Sequence, residues 1–122
     1  MLVKIFVTVK VPGLHFWPEA NEKSLNHPYL RFPHRHMFHI KVMKIVQGLN
    51  RELEFFQLQE KLIEGLNSVY NGGNPITKSD FYNFKNDSCE IIATRLLKLL
   101  GMDEVEVSED GENGSIVTKT CD

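Results

Sequence analysis

Val3, Ile5, Val7 and Val9 alternate with Lys4, Phe6, Thr8 and Lys10 at the head of the chain. A period of two puts one set on one side of a β-strand, so this segment predicts a first strand with one buried face. A second strand is predicted from about His34 to Ile45, with Phe38, Ile40 and Val42 sharing the parity of His34 and His36. Between the two lies a connection from about Pro12 to Pro33, opened by a Pro12-Gly13 turn and rich in Pro, Asn and aromatic residues. Such length without regular structure is uncommon unless the loop has a function. Gly48 and Asn50 then break the pattern.

The period changes after Glu52. Phe55, Leu58, Leu62, Leu66 and Val69 recur at helical spacing as far as Tyr70, with Glu and Lys between them. This predicts an amphipathic helix lying on a sheet, and Asn71-Gly72-Gly73-Asn74-Pro75 ends it. Phe81, Tyr82 and Phe84 fall in a second loop, where they either line a pocket or cover the edge of the core. A second helix is expected from Asp87-Ser88-Cys89-Glu90, a capping-box spacing with Asp87 as N-cap. Ile91, Ile92, Leu96, Leu99 and Leu100 would form its buried stripe, and Gly101 suits its C-terminal cap. Val105 to Glu109 and Ser115 to Thr120, joined by an Asp110 to Gly114 turn, read as a closing hairpin. The expected fold is α+β: an antiparallel four-stranded sheet in the order β-β-α-α-β-β, with two helices on one face. At 122 residues the chain, 1–122, is expected to be a single domain.

Composition narrows the function classes. A net charge of −2 without charge runs gives no footprint for a nucleic acid or an anionic membrane. Cys89 and Cys121 are two and far apart, so neither a disulfide framework nor a cysteine-based zinc site is indicated. Lys4 and Lys10 interrupt the first apolar segment, which therefore reads as a strand rather than a signal peptide. No stretch is long enough to span a bilayer, and the expected location is cytoplasmic.

The candidate chemistry sits in His15 and in the pair His34 and His36 of Pro33-His34-Arg35-His36. Two residues apart is the wrong spacing for one face of a helix, but it places both imidazoles on one side of a strand. Here that side is the apolar, inward one, and His15 at the end of the other strand could supply a third imidazole. Three neutral imidazoles without a fourth protein ligand suit zinc with one open position, the pattern of catalytic rather than structural sites. His-x-His alone is also frequent at strand ends and in loops. Glu109 shares the inward parity of Val105 and Val107, and a buried carboxylate is costly unless paired. Either it accepts hydrogen bonds from the following turn, or it anchors a ligand presenting paired N–H donors, such as the amino-pyrimidine edge of a pterin or guanine.

The element order, His15, the His34–His36 pair and the Val105-x-Val107-x-Glu109 strand together resemble the 6-pyruvoyl-tetrahydropterin synthase family. That family includes the 6-carboxy-tetrahydropterin synthases of 7-deazaguanine biosynthesis. The resemblance covers nearly the whole chain. Leu53-Glu54-Phe55 is similar to the stretch opening the family's first helix, and Ser88-Cys89-Glu90-Ile91-Ile92-Ala93 to its Pro-Thr-x-Glu-Asn-x-Ala run. It implies a tunnelling fold assembled into a ring homo-oligomer with sites between subunits. It also implies one zinc held by His15, His34 and His36, and a pterin or purine-like ligand anchored by Glu109.

Two departures accompany the resemblance. The family's general-base cysteine lies between the first histidine and the histidine pair, yet Phe16 to Pro33 contains none. Its Leu-Asp-His proton relay is matched here by Leu66-Asn67-Ser68, which has no group that takes up a proton near neutral pH. His27 and Glu19 in the long loop are the nearest candidates for the missing proton carriers. Trp17-Pro18-Glu19 and Tyr29-Leu30-Arg31-Phe32 would form a ligand lid or a subunit contact. Three functions follow. The first is a divergent zinc enzyme, a carbon–oxygen lyase of the tetrahydropterin synthase type. The second is a zinc-containing binding protein that captures a purine- or pterin-like molecule, or a nucleotide signal, unchanged. The third is an interaction module in which the histidines are structural.

Overall fold

The two alternating segments pair along their whole length. In the computed structural model, which describes residues 1–20, 26–70 and 81–120, β1 (Val3–His15) and β2 (His34–Val46) run antiparallel. Their register sets Val3 across from Val46 at one end and His15 across from His34 at the other. Then come α1 (Phe55–Tyr70), β3 (Tyr82–Lys85), α2 (Cys89–Leu100), β4 (Glu104–Glu109) and β5 (Asn113–Thr118). The spatial order is β3-β1-β2-β4-β5. Alternation leaves Val7, Val11, Phe38, Ile40, Val42, Val105 and Val107 on one face, where Leu58, Leu62 and Leu66 of α1 and Ile92 and Leu96 of α2 bury them.

Among the described residues the sheet has five strands where four were expected. Tyr82-Asn83-Phe84-Lys85 adds a short parallel strand to the His15 end of β1. Four residues are too few to show a period against the surrounding loop, yet the alternation is complete: Tyr82 and Phe84 are buried, Asn83 and Lys85 exposed. Phe84 is therefore part of the core itself. The expected Pro12-Gly13 turn is also absent, because β1 continues straight through both residues.

Helix boundaries shift for reasons of capping. Glu52 folds back onto the amides of Gln47 and Gly48, and the Glu54 carboxylate accepts the Gln57 amide at 2.9 Å, so α1 starts at Phe55. The N-cap of α2 is Ser88, whose Oγ accepts the Ile91 amide, rather than Asp87. Asp87 is engaged elsewhere: its Oδ2 accepts from the Tyr70 hydroxyl at 2.9 Å and Arg95 Nε at 3.1 Å. Cys89, Ile92, Ala93 and Leu96 form the buried stripe of α2, while Ile91 and Leu99 are exposed. The expected stripe was wider than the face that α2 presents to the sheet. Gly101 closes the helix in the left-handed conformation, at φ 64°, as its position predicts. The residues 71–75 expected to end α1, and Cys121, lie outside the described residues.

Candidate metal centre

Strand register alone assembles the site. His34 and His36 project from β2 on the face of Phe38, and His15 stands across from His34 on β1. The β2–β4 pairing places Glu109 opposite Phe38, hence on the same face. One ligand atom from each of His15, His34, His36 and Glu109 lies within 4.8 Å of the others. The four groups meet at one end of the sheet, with the His15, His36 and Glu109 side chains 12, 23 and 29% exposed.

Each imidazole is held from behind. His15 Nδ1 lies 3.2 Å from the Asp87 carbonyl oxygen, and His34 Nδ1 3.0 Å from that of Phe32. His36 Nδ1 lies 2.8 Å from Asp110 Oδ2. All three partners are acceptors only, so each Nδ1 carries the hydrogen, and in the neutral ring Nε2 is left as a bare lone pair. The Nε2 atoms of His15 and His36 nonetheless sit 2.9 and 3.2 Å from one oxygen, Oε2 of Glu109. Lone pair against carboxylate is repulsive unless positive charge stands between them. Protons on the rings can provide it, and so can one cation. An inward-facing set of imidazoles, oriented by outer hydrogen bonds and joined by a carboxylate, is the donor chemistry of a zinc site. The residues therefore fit the metal that the sequence implies.

The electrostatics agree. Burial, reinforced by His15 and His36, holds the His34 imidazole below its ordinary pKa and favours the neutral, ligating form. With a hydrogen on Nε2 as well as Nδ1, the His15 ring donates to Glu109 and holds its carboxyl below the usual range, so the carboxylate is ionised at neutral pH. Asp110 is likewise lowered, by the Met37 amide and by His36.

Beneath the cluster lies an aromatic floor. The Phe38 ring stands edge-on to His15, at 5.2 Å between centroids, and to Phe84, at 4.6 Å. Gly13, across from His36, makes room for it: a Cβ there would meet Phe84 Cε2 at 2.4 Å and Phe38 Cδ2 at 2.8 Å.

The other candidates lie apart from this cluster. His27 is exposed, with its Nδ1 3.0 Å from the Tyr29 hydroxyl, and Glu19 is exposed as well. Neither belongs to the converging donor set. Tyr29 and Phe32, 60 and 58% exposed, leave apolar surface on the long loop. Asn67 accepts a 2.6 Å hydrogen bond from the Tyr82 hydroxyl. Burial pushes the Cys89 thiol up to about 12, with Glu109 and Glu90 adding to the effect, so it is not a thiolate at neutral pH. Sequence reasoning missed Asp110 and the carbonyls of Phe32 and Asp87. Asp110 directly follows Glu109 and could have been weighed as more than a turn residue, whereas the carbonyls carry no sequence signal.

No protein-family profile matches the sequence, and no curated protein matches it. Solved structures do. The chain is similar to a 6-pyruvoyl tetrahydropterin synthase of Caenorhabditis elegans, at 11% identity over 98% of this chain and 97% of that one, with a TM-score of 0.67. It is also similar to an uncharacterized protein of Wolinella succinogenes, at 17% identity over 98% of this chain and 99% of that one, with a TM-score of 0.63. At such identities it is the fold that is shared, and the chain has the fold of 6-pyruvoyl tetrahydropterin synthase.

Proposed function

We propose that the protein is a zinc-dependent, 6-pyruvoyl/6-carboxy-tetrahydropterin synthase-like protein that binds a pterin or purine-derived small molecule. One observation carries this reading: His15, His34 and His36 have their Nδ1 atoms committed outward, the Nε2 atoms of His15 and His36 meet the Glu109 carboxylate, and one ligand atom of each of the four residues lies within 4.8 Å of the others. Zinc held there would act as a Lewis acid, polarising a bound oxygen or acidifying a bound water. The three imidazoles would hold it, and the outer acceptors would keep their lone pairs aimed. The Glu109 carboxylate would anchor paired N–H donors of the ligand or serve as a fourth metal donor. The likeness in fold to a structure whose name is a pterin synthase supports the substrate class. Copies of the chain would join into a ring, with each site near a subunit boundary.

A second reading has its own support. Asn67 stands where the family pattern has an acid, and it accepts from Tyr82 instead of handling a proton. Cys89 stays a thiol. Without those groups the same site would capture a purine- or pterin-like molecule and release it unchanged.

Native mass spectrometry of the untagged protein, with identification of any small molecule released on denaturation, tests both. The expected result is one zinc per chain and a pterin- or purine-like passenger, with zinc lost in His34→Ala. Glu109→Gln separates the two roles of the carboxylate: weakened pterin binding with zinc retained means an anchor, and weakened zinc means a metal donor. Turnover of a dihydroneopterin triphosphate would establish the enzyme, and a tight complex with unmodified ligand the binder. A metal-free protein after zinc addition would overturn both.

A further inference from the structure

The β4 strand is closed at both ends by an aspartate, and one of the two closures also holds a histidine. At the start, the Asp103 amide donates to the Met43 carbonyl at 3.0 Å and Asp103 Oδ2 accepts the Ile45 amide at 2.7 Å. At the end, the Asp110 amide donates to the Met37 carbonyl at 2.8 Å and Asp110 Oδ1 accepts the Met37 amide at 2.9 Å. Each side chain thus stands in for one more residue of the β2–β4 ladder, where a carboxylate accepts the hydrogen bond that a backbone carbonyl would otherwise take. The Asp103 carboxylate has Lys44 Nζ at 3.7 Å as its other neighbour. The second oxygen of Asp110, Oδ2, takes His36 Nδ1 at 2.8 Å. Asp110 is held for this by a left-handed backbone, φ 58°, which Asp adopts more readily than most side chains.

We propose that Asp110 is the positioning residue of the metal centre, fixing His36 in the tautomer that leaves Nε2 free to bind a metal. The inference rests on the metal-centre reading above. With one carboxylate oxygen on a backbone amide and the other on Nδ1, both contacts demand an acceptor from Asp110, and the carboxylate supplies two. Asparagine supplies one. In Asp110→Asn the amide oxygen can keep the Met37 contact, so the amide NH2 faces His36 Nδ1 as a donor. His36 then answers with a bare Nδ1 and moves its hydrogen to Nε2, the atom that should bind the metal. A carboxylate behind a ligating imidazole also raises its basicity, and such outer partners typically contribute about 10–100-fold in metal affinity.

Asp103→Asn is the matched control, because it makes the same change at the other end of the same strand, away from the histidines. Two measurements on wild type and both variants decide the matter. The first is ¹⁵N–¹H imidazole correlation on the metal-free protein at about pH 8, above the ordinary imidazole range. The expectation is a hydrogen on His36 Nδ1 in wild type and Asp103→Asn, whatever Nε2 carries toward Glu109, and a bare Nδ1 with the hydrogen on Nε2 in Asp110→Asn. The second is zinc affinity by chelator competition, expected to fall about 10–100-fold in Asp110→Asn and to stay within about twofold of wild type in Asp103→Asn. Unchanged His36 resonances in Asp110→Asn would overturn the proposal, as would equal zinc affinities in the two variants. Should wild type bind no zinc, the metal reading fails, and the metal-free spectra still decide whether Asp110 sets the tautomer.

Discussion

At the scale of single residues, the site is defined by which atom of each imidazole faces which oxygen, and this has a consequence for stability. Folding holds His34 below its ordinary value of about 6.5 through burial and through His15 and His36. Between the folded and unfolded values the unfolded chain binds the additional proton, so stability is complete above about pH 6.5 and falls as the pH drops through that window. Glu109, held below about 4.5 by the hydrogen bond from His15, acts in the same direction at lower pH. Its contribution is present above its unfolded value and is lost as the pH falls through the folded one. The metal-free protein should therefore lose urea resistance in two acid steps, and His34→Ala should erase the first. Added zinc should raise the midpoint most where the imidazoles are neutral, steepening the upper step. A fall below about pH 6.5 that His34→Ala leaves unchanged would contradict the placement of His34 beside two other imidazoles.

At the scale of elements, β1, β2 and β4 were legible because each alternates for six residues or more with one face buried, and β5 because the turn after Glu109 joins it to β4. The same parity placed His34, His36 and Glu109 on the inward side before any contact was visible. Three things were not legible. The strand β3 is four residues long, and it exists because β1 offers it an edge and Phe84 a place in the core. Asp87 satisfies the capping pattern as well as Ser88 does, and only the positions of Tyr70 and Arg95 decide between them. Gly13 reads as a turn former next to Pro12, although its role is to lack a side chain. The β1–β3 contact tests this last point. Gly13→Ala drives a methyl group into the Phe84 ring and should destabilise by about 1–3 kcal/mol in urea titration, as overpacking does. Phe84→Leu returns room at that point, so the double variant should lose less than the sum of the single changes. Strict additivity would mean that Gly13 and Phe84 do not compete for the same space. Because Phe38 lines both the Gly13 contact and the histidines, Gly13→Ala should also loosen zinc.

At the scale of the whole molecule, the sheet ends in two unequal edges. β3 covers only Gly13 to His15, so β1 from Val3 to Pro12 has β2 on one side and no strand among the described residues on the other. β5 forms the opposite edge. The amides of Asp103 and Asp110 donate to the Met43 and Met37 carbonyls, so the odd residues of β2 turn their backbone toward β4 and the even ones toward β1. Val7 lies across from Val42, which makes the odd residues of β1 the ones bonded to β2. Lys4, Phe6, Thr8 and Lys10 then turn theirs outward. Of these, the Thr8 carbonyl already accepts from Gln59 Nε2 at 2.8 Å. Open edges invite pairing with another chain, and β1 of one copy against β5 of the next is a head-to-tail contact that repeats until it closes into the proposed ring. Phe6→Pro removes one outward N–H and leaves the β1–β2 ladder whole, since proline is tolerated at an edge whose N–H faces away. The expected outcome is a ring in wild type and a monomer in Phe6→Pro by native mass spectrometry, with the melting temperature of the isolated chain little changed. Zinc should remain bound in the monomer, because one chain supplies all four donors. Binding of the small molecule should fall, because the proposed site borders the neighbouring subunit. A ring that survives Phe6→Pro would place the contact on another surface, and a monomer that binds ligand as tightly as the ring would place the whole site within one chain.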